Sequence, residues 1–84
     1  MKVTLVGFKS LNFTDAEGNK VEGIRLYIAY PDDDVIGCAV DTAFIRQNVF
    51  DGFGVTEDQL ADAVDCAVDV EYGRKGKIVG FKVL

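Results

Sequence analysis

The last nineteen residues of the chain, 66–84, constrain its fold most strongly, because they follow the pattern of a β-hairpin. Val68, Val70 and Tyr72 alternate with two acidic residues, and a second alternating run begins at Ile78. A Gly-Arg-Lys-Gly turn joins the two runs, as expected of a hairpin loop. The fold class is therefore predicted to be mainly β, and this turn carries the densest positive charge in the chain.

Residues 21–30 predict a strand with two distinct faces. Apolar side chains at every second position assign one face to the core. That face is predicted to carry Ile24, Leu26, Ile28 and Tyr30. The opposite face is predicted to carry Arg25, Tyr27 and Ala29.

Two further stretches are predicted to be strands. Residues 3–9 are mostly β-branched and aromatic, and Gly7 within them predicts a bulge or a sharp bend. Residues 35–44 form the third strand in chain order. The apolar residues that this strand is predicted to direct into the core are Ile36, Cys38 and Val40.

Polar segments separate these strands. Residues 14–20 contain a Gly-Asn pair typical of a hairpin loop. Residues 31–34, Pro-Asp-Asp-Asp, predict a tight and solvated acidic turn, because the spaced ligands of a calcium loop are missing.

One short helix is predicted after the third strand. Thr56-Glu-Asp-Gln59 matches a capping box, in which the Thr and Gln side chains each accept a hydrogen bond from the other residue's backbone amide. Apolar residues follow at helical spacing, so the helix is predicted to run from Glu57 to about Ala63.

The resulting order of elements is strand, strand, strand, short helix, strand, strand, in a single domain over residues 1–84. We therefore predict an OB-fold-like small barrel of five strands, with the helix between strands 3 and 4. An SH3-like barrel and an open α+β sheet are the alternatives. In the predicted loop over residues 45–55, Phe50 and Phe53 form either a lid over the barrel end or a wedge for a nucleobase or a partner.

The composition argues against several kinds of chemistry. Histidine is absent, which removes Ser/His and Cys/His nucleophile pairs, and no cofactor motif or metal-binding spacing is present. We expect a protein that is not an enzyme and that binds neither cofactor nor metal. Cys38 and Cys66 are expected to be buried, reduced thiols, with a disulfide or a reactive thiol as the alternatives.

The chain also lacks the signals of membrane proteins and secreted proteins. No apolar run approaches the length of about 20 residues that spans a bilayer, and no signal-peptide pattern is present. We expect a cytoplasmic protein without a membrane partner.

Charge is distributed unevenly along the sequence. The net charge is −5, but residues 31–68 carry one Arg against nine acidic residues, for a local net charge of −8. Both ends of the chain are mildly basic. Because salt screens surface charges beyond about 8 to 10 Å, a local basic groove can still bind a polyanion.

The basic and aromatic residues favour single-stranded nucleic acid as the partner. OB-folds bind single strands by stacking bases on exposed rings of the second and third strands, with basic groups along the backbone path. Arg25 and Tyr27 supply such a platform. The predicted phosphate contacts on the neighbouring loops are Lys9, Lys20, Arg74, Lys75 and Lys77. Each of these residues also has a purely structural explanation, because exposed strand faces and turns commonly carry such side chains.

Three stretches of the chain carry a resemblance to a known family. They are Val3-Thr-Leu-Val-Gly-Phe-Lys-Ser-Leu-Asn-Phe-Thr14, Glu22-Gly-Ile-Arg-Leu-Tyr-Ile-Ala-Tyr30 and Val70-Glu-Tyr-Gly-Arg-Lys-Gly-Lys-Ile-Val-Gly-Phe81. In these stretches, in length and in strand order, the chain resembles the small OB-fold single-stranded-DNA-binding proteins of phages and mobile elements, of the gene V type. The resemblance implies a homodimer that coats single strands cooperatively. The acidic balance and the helix after Thr56 depart from the gene V pattern.

The alternative function is that of a small acidic protein-interaction or assembly module with the same barrel fold. Its partner would be a basic protein bound by the acidic segment 31–68, or a second copy paired along an open strand edge. An exposed apolar patch around Phe50 and Phe53 would favour this alternative. Basic residues gathered with Tyr27 on one face would favour single-stranded DNA.

Overall fold

Five strands and two short helices follow one another along residues 1–84, all of which a computed structural model describes. The strands are β1 (Lys2–Thr14), β2 (Lys20–Pro31), β3 (Cys38–Arg46), β4 (Ala67–Tyr72) and β5 (Ile78–Val83). The helices, both between β3 and β4, are α1 (Gln47–Asp51) and α2 (Glu57–Asp62). The prediction of a mainly β fold is confirmed. Neither helix has the length and apolar character needed to cross a membrane.

All five strands belong to one antiparallel sheet in the order β3-β2-β1-β4-β5. β1 lies at the centre and pairs with β2 on one side and with β4 on the other. No ladder joins the two edge strands, β3 and β5, so the sheet is not closed into a barrel.

The sheet nevertheless curls until its edges approach each other. The pKa of the Tyr72 hydroxyl lies above its ordinary value of 10.0. Burial is the largest cause, and the charge of Asp41 and then Tyr30 add to it. The negative charge of Asp41, on β3, thus opposes the ionisation of Tyr72, on β4, although these strands are not neighbours in the sheet. Ile78 on β5 and Ile45 on β3 likewise border one groove. The two edges therefore face each other without pairing.

The core lies inside this curl and is closed by the helices. The predicted core face of β2 is confirmed, because Ile24, Leu26 and Ile28 are no more than 1% exposed and Tyr30 packs against the core at its side. The other buried members of the core cluster are Val3, Leu5, Ile45, Phe50, Leu60, Ala63, Val68, Val70, Ile78 and Phe81.

A bulge interrupts the pairing of β1 with β2. Leu5 lies opposite Ile28 and Gly7 lies opposite Tyr27, so the residue between them, Val6, has no partner. The bulge predicted at Gly7 is therefore confirmed, displaced by one residue. Such a bulge bends a strand and increases its twist, which helps β1 to serve both halves of the sheet.

The prediction for the inner face of the third strand is wrong. Asp41 lies opposite Ile28 and Ile45 lies opposite Ile24, so the core-facing residues of β3 are those in phase with Ile45. Val40 is 76% exposed on the other side, Cys38 is also exposed, and Ile36 lies in the turn before the strand. β3 is an edge strand whose inner positions are mostly small or polar, so its outer face is the more apolar one.

The predicted helix and its capping box are both present. Thr56 Oγ1 accepts a hydrogen bond from the Gln59 amide at 3.1 Å, and Gln59 Oε1 accepts one from the Thr56 amide at 3.0 Å. Leu60 on this helix is completely buried. The capping box therefore fixes the direction in which α2 enters the core.

Residues 45–55, predicted to be a loop, contain α1. Phe50 on this helix is 2% exposed, and Phe53 packs against it edge to face, with ring centroids 6.3 Å apart. Both rings belong to or cover the core. Of the two predicted roles, the lid is the one that the structure supports.

The two cysteines are free thiols, as predicted, but both are exposed. Cys38 begins the edge strand β3, opposite Pro31, and Cys66 lies between α2 and β4. Neither position faces the core, so the predicted burial is wrong.

Candidate nucleic-acid interface

Strands β1, β2 and β3 present one broad surface on the side opposite to the core, which we call the outer face. Arg25 and Tyr27 lie on it, as predicted, because the β2 residues that alternate with them are buried. Lys9 on β1 lies directly opposite Arg25, and Phe44 on β3 lies opposite it on the other side. Arg25 is therefore flanked by an amine and an aromatic ring.

Basic residues on the outer face have no acidic counterpart there. By alternation and register, the outer-face positions of β1, β2 and β3 include no Asp or Glu. The basic residues at these positions are Lys2, Lys9, Arg25 and Arg46. The first carboxylate across the sheet is Asp69 on β4, opposite Lys2. In a chain of net charge −5, this face is locally positive.

Lys9 and Arg25 form a cross-strand pair of like charges. Directly opposite side chains have Cβ atoms about 4.5–5.5 Å apart, and like charges in this position repel each other. The one ion pair of the protein joins the amino group of Met1 to Asp69 at 3.0 Å, so no carboxylate neutralises either cation. A phosphate held between the two side chains would replace this repulsion with attraction.

Phe44 and Phe13 add exposed aromatic surface to this face. The Phe44 ring lies over Gly23, and the Phe13 ring packs against it with centroids 6.4 Å apart and planes inclined at 54°. Phe13 remains 47% exposed and Phe44 remains 38% exposed. Tyr27 pairs with no other ring, so the outer face offers two separate aromatic surfaces instead of one cluster.

Phe13, Phe44 and Arg46 are absent from the site predicted from sequence. The signal that identifies two of them is the phase of β3. Ile45 is the one large residue of this strand that is buried, and its neighbours Phe44 and Arg46 therefore point outward. The apolar side chain of Val40 suggests the opposite phase, but it lies on the outer face with Phe44 and Arg46.

Tyr27 borders a shallow pocket of about 390 Å³ on the outer face. Its other lining residues are Val6, Ile28, Val40, Asp41 and Thr42. Ile28 and Asp41 lie opposite each other at positions in phase with the core side of the sheet. Val6 and Val40 are 48% and 76% exposed. Two exposed valine side chains therefore line the pocket, together with Tyr27 and Thr42.

The remaining predicted contacts lie in or beside the loops of the β1–β2 and β4–β5 hairpins. Lys77 borders a groove of about 410 Å³ together with Phe44 and Arg46, which places it at the edge of the outer face. Arg74 and Lys75 lie in the exposed turn between β4 and β5.

Lys20 lies on the other side of the β1–β2 hairpin. It pairs with Thr14 and is in phase with Ile24, so it points away from the outer face. The structure thus brings Lys9, Arg25 and Tyr27 together, with Lys77 at the border.

The acidic segment 31–68 contributes no carboxylate to the outer face. Its acidic residues lie in the turn before β3, on the core side of β3, and in or next to the two helices. They do not gather into a group of three or more that could hold a metal ion. Because Phe50 and Phe53 pack in the core region, the exposed patch that would favour a protein partner is not formed there.

The chain matches no protein-family model, no curated protein and no solved structure.

Proposed function

We propose that this protein binds single-stranded DNA on its outer face without catalysing a reaction. The observation that carries the proposal is the Lys9–Arg25 pair, two unneutralised cations that lie opposite each other on a face without carboxylates. Aromatic rings border this pair on both sides, the exposed Phe44 across from Arg25 and the half-buried Tyr27 next along β2. A polyanion with accessible bases matches both properties.

The phosphates and the bases would use different parts of this surface. Charge-assisted hydrogen bonds from Lys9, Arg25 and Arg46 would hold the backbone. Bases would stack on Phe44 and Tyr27, and each stacked base contributes on the order of 1 to 3 kcal/mol. A duplex keeps its bases stacked on one another, so it would use the cations but not the rings.

The order of strands supports the same proposal. An OB barrel opened between its third and fifth strands would have the strand order β3-β2-β1-β4-β5, which is the order found here. We propose that the chain is a partly open version of that architecture. OB-folds bind oligonucleotides on the face of the second and third strands and on the flanking loops. A homodimer and cooperative coating of the strand stay predictions from the resemblance.

The proposed contacts form a centre and a periphery. The centre consists of Lys9, Arg25 and Tyr27, extended by Phe13, Phe44 and Arg46. The peripheral residues, which would contact phosphates where the strand enters or leaves the face, are Lys20, Arg74, Lys75 and Lys77.

Titration of a labelled single-stranded oligonucleotide of about 20 nucleotides tests the proposal. We expect saturable binding at low salt that weakens at about 0.15 M salt, because bound cations release counterions. We expect much weaker binding to a duplex of the same sequence. Absence of binding to the single strand at low salt would refute the proposal, and equal binding to the duplex would refute the role of the rings.

A further inference from the structure

We infer that the pocket beside Tyr27 binds one thymine base of the strand, so that the protein prefers thymine-rich single-stranded DNA. This inference rests on the proposed function and adds a base preference to it. The pocket volume of about 390 Å³ lies within the range of about 300 to 1,000 Å³ usual for sites that bind small organic groups.

The β1 bulge creates the pocket. The bulge leaves Val6 without a partner, next to the Gly7–Tyr27 pair. The Val6 side chain is 48% exposed. Gly7 presents no side chain next to Tyr27, and even a Cβ at this position would meet no atom within 4 Å. The side of Tyr27 that faces β1 is therefore open to a ligand.

The apolar walls favour thymine over the other bases. Val6 and Val40 border the pocket from β1 and β3, and both side chains remain largely exposed until a ligand covers them. Thymine is the only one of the four DNA bases with a methyl group on its ring edge, and apolar side chains recognise that methyl by contact. Burying it against valine removes apolar surface from water.

The polar groups of the pocket do not favour cytosine instead. An acidic side chain would accept a hydrogen bond from the cytosine amino group. The only acidic residue that lines the pocket is Asp41, and its position is in phase with the core side of β3, away from Val40 and Thr42. One of its carboxylate oxygens also accepts a hydrogen bond from the Thr42 amide at 2.8 Å. The Thr42 hydroxyl both donates and accepts, so it serves thymine and cytosine equally.

Oligo-deoxythymidine and oligo-deoxyuridine of equal length and with the same label provide a direct test, since they differ only in the methyl group. We expect oligo-deoxythymidine to bind about three- to fourfold more tightly, the effect of burying one methyl group. Val40→Ala removes one wall and should bring the ratio close to one. Val79→Ala, which truncates a 53% exposed valine on β5, is the matched control and should leave the ratio unchanged.

The outcomes separate this inference from the proposed function. Equal, saturable binding of the two oligonucleotides would overturn the thymine pocket and leave single-strand binding in place. A thymidine preference that survives Val40→Ala would also overturn it, because the methyl group would then be recognised elsewhere. If neither oligonucleotide binds at low salt, the proposed function fails and the inference fails with it.

Discussion

The Phe44 ring covers Gly23 so closely that a Cβ at position 23 would stand 2.6 Å from Cζ and 2.7 Å from Cε2 of that ring. The same Cβ would also collide with the carbonyl oxygen of Ile45. Covering a strand glycine with an aromatic side chain from the next strand is a known way to compensate for the missing side chain. Gly23 therefore makes the room that the Phe44 ring occupies on the outer face.

We predict that Gly23→Ala destabilises the protein by about 1 to 3 kcal/mol, because the methyl group forces the Phe44 ring and the β3 backbone to move. Urea unfolding measures the change. Gly7→Ala is the control, since a Cβ there would meet no atom within 4 Å, and it should change stability by no more than about 0.5 kcal/mol. Equal stability of the two variants would contradict the contact between Phe44 and Gly23.

We predict that Tyr27→Ala weakens binding to single-stranded DNA by about 1 to 3 kcal/mol, because it removes a stacking surface. Tyr27→Phe keeps the ring and should bind nearly as tightly as the wild type. Fluorescence titration measures both affinities, and circular dichroism checks that both variants are folded. Unchanged affinity of Tyr27→Ala would show that the outer face is not the binding face.

Removing a cation from the outer face should make binding less sensitive to salt. For single strands, the slope of log affinity against log salt changes by about 0.7 for each phosphate contact, so Arg25→Gln should lower its magnitude by about that amount. Lys75→Gln should also make the slope shallower if the β4–β5 turn contacts the strand. Lys82→Gln, which lies opposite Asp69 in the β4–β5 ladder, should leave the slope unchanged. A slope unaffected by Arg25→Gln would exclude a phosphate at the Lys9–Arg25 pair.

The raised pKa of Tyr72 predicts that the folded protein loses stability in alkali. The hydroxyl loses its proton at a lower pH in the unfolded chain than in the folded protein. The contribution of Tyr72 to the free energy of unfolding is therefore fully present below about pH 10. It is lost as the pH rises through the pKa of the folded protein. Urea unfolding below and above about pH 10 should show the loss in the wild type and a smaller loss in Tyr72→Phe.

The cause of that pKa shift can be tested separately. Asp41→Asn removes the charge that opposes ionisation of Tyr72, so the Tyr72 pKa should fall toward 10.0. The absorbance of the phenolate, taken as the difference from Tyr72→Phe, follows this one residue. An unchanged titration in Asp41→Asn would place the carboxylate too far from Tyr72 and would argue against the curl of the sheet.

We predict that Thr56→Ala destabilises the protein by about 1 kcal/mol, since it removes one half of the capping box of α2. Thr56→Ser retains a hydroxyl that can accept the Gln59 hydrogen bond and should cost much less. Urea unfolding of the two variants measures the difference. Equal loss in both would mean that the threonine methyl group, and not the hydrogen bond, stabilises this helix.

The features predicted correctly from sequence are those that local chemistry determines. The capping box at Thr56 depends on residues within one helical turn, and the bulge near Gly7 depends on one small residue in a strand. The two faces of β2 were predictable because this strand is buried along one side for most of its length.

The features predicted wrongly or missed depend on register between distant strands. β3 contributes only Ile45 as a large buried residue, so its own apolar pattern points to the wrong face. Whether β3 and β5 pair is a question of how far the sheet curls, which no local pattern encodes. Phe13 on β1 and Phe44 on β3 meet only because both strands pair with β2, which brings their ring centroids to 6.4 Å. The aromatic part of the site could therefore not be found from spacing along the chain.

The absence of carboxylates from the outer face gives this acidic protein a permanent electric dipole moment. Near a polyanion, such a molecule experiences an overall repulsion but also a torque that turns its basic side toward the strand. Copies bound in that orientation would display their acidic sides to the solution. A strand coated in this way would repel a second coated strand, so the coat would keep single strands apart as well as covering them.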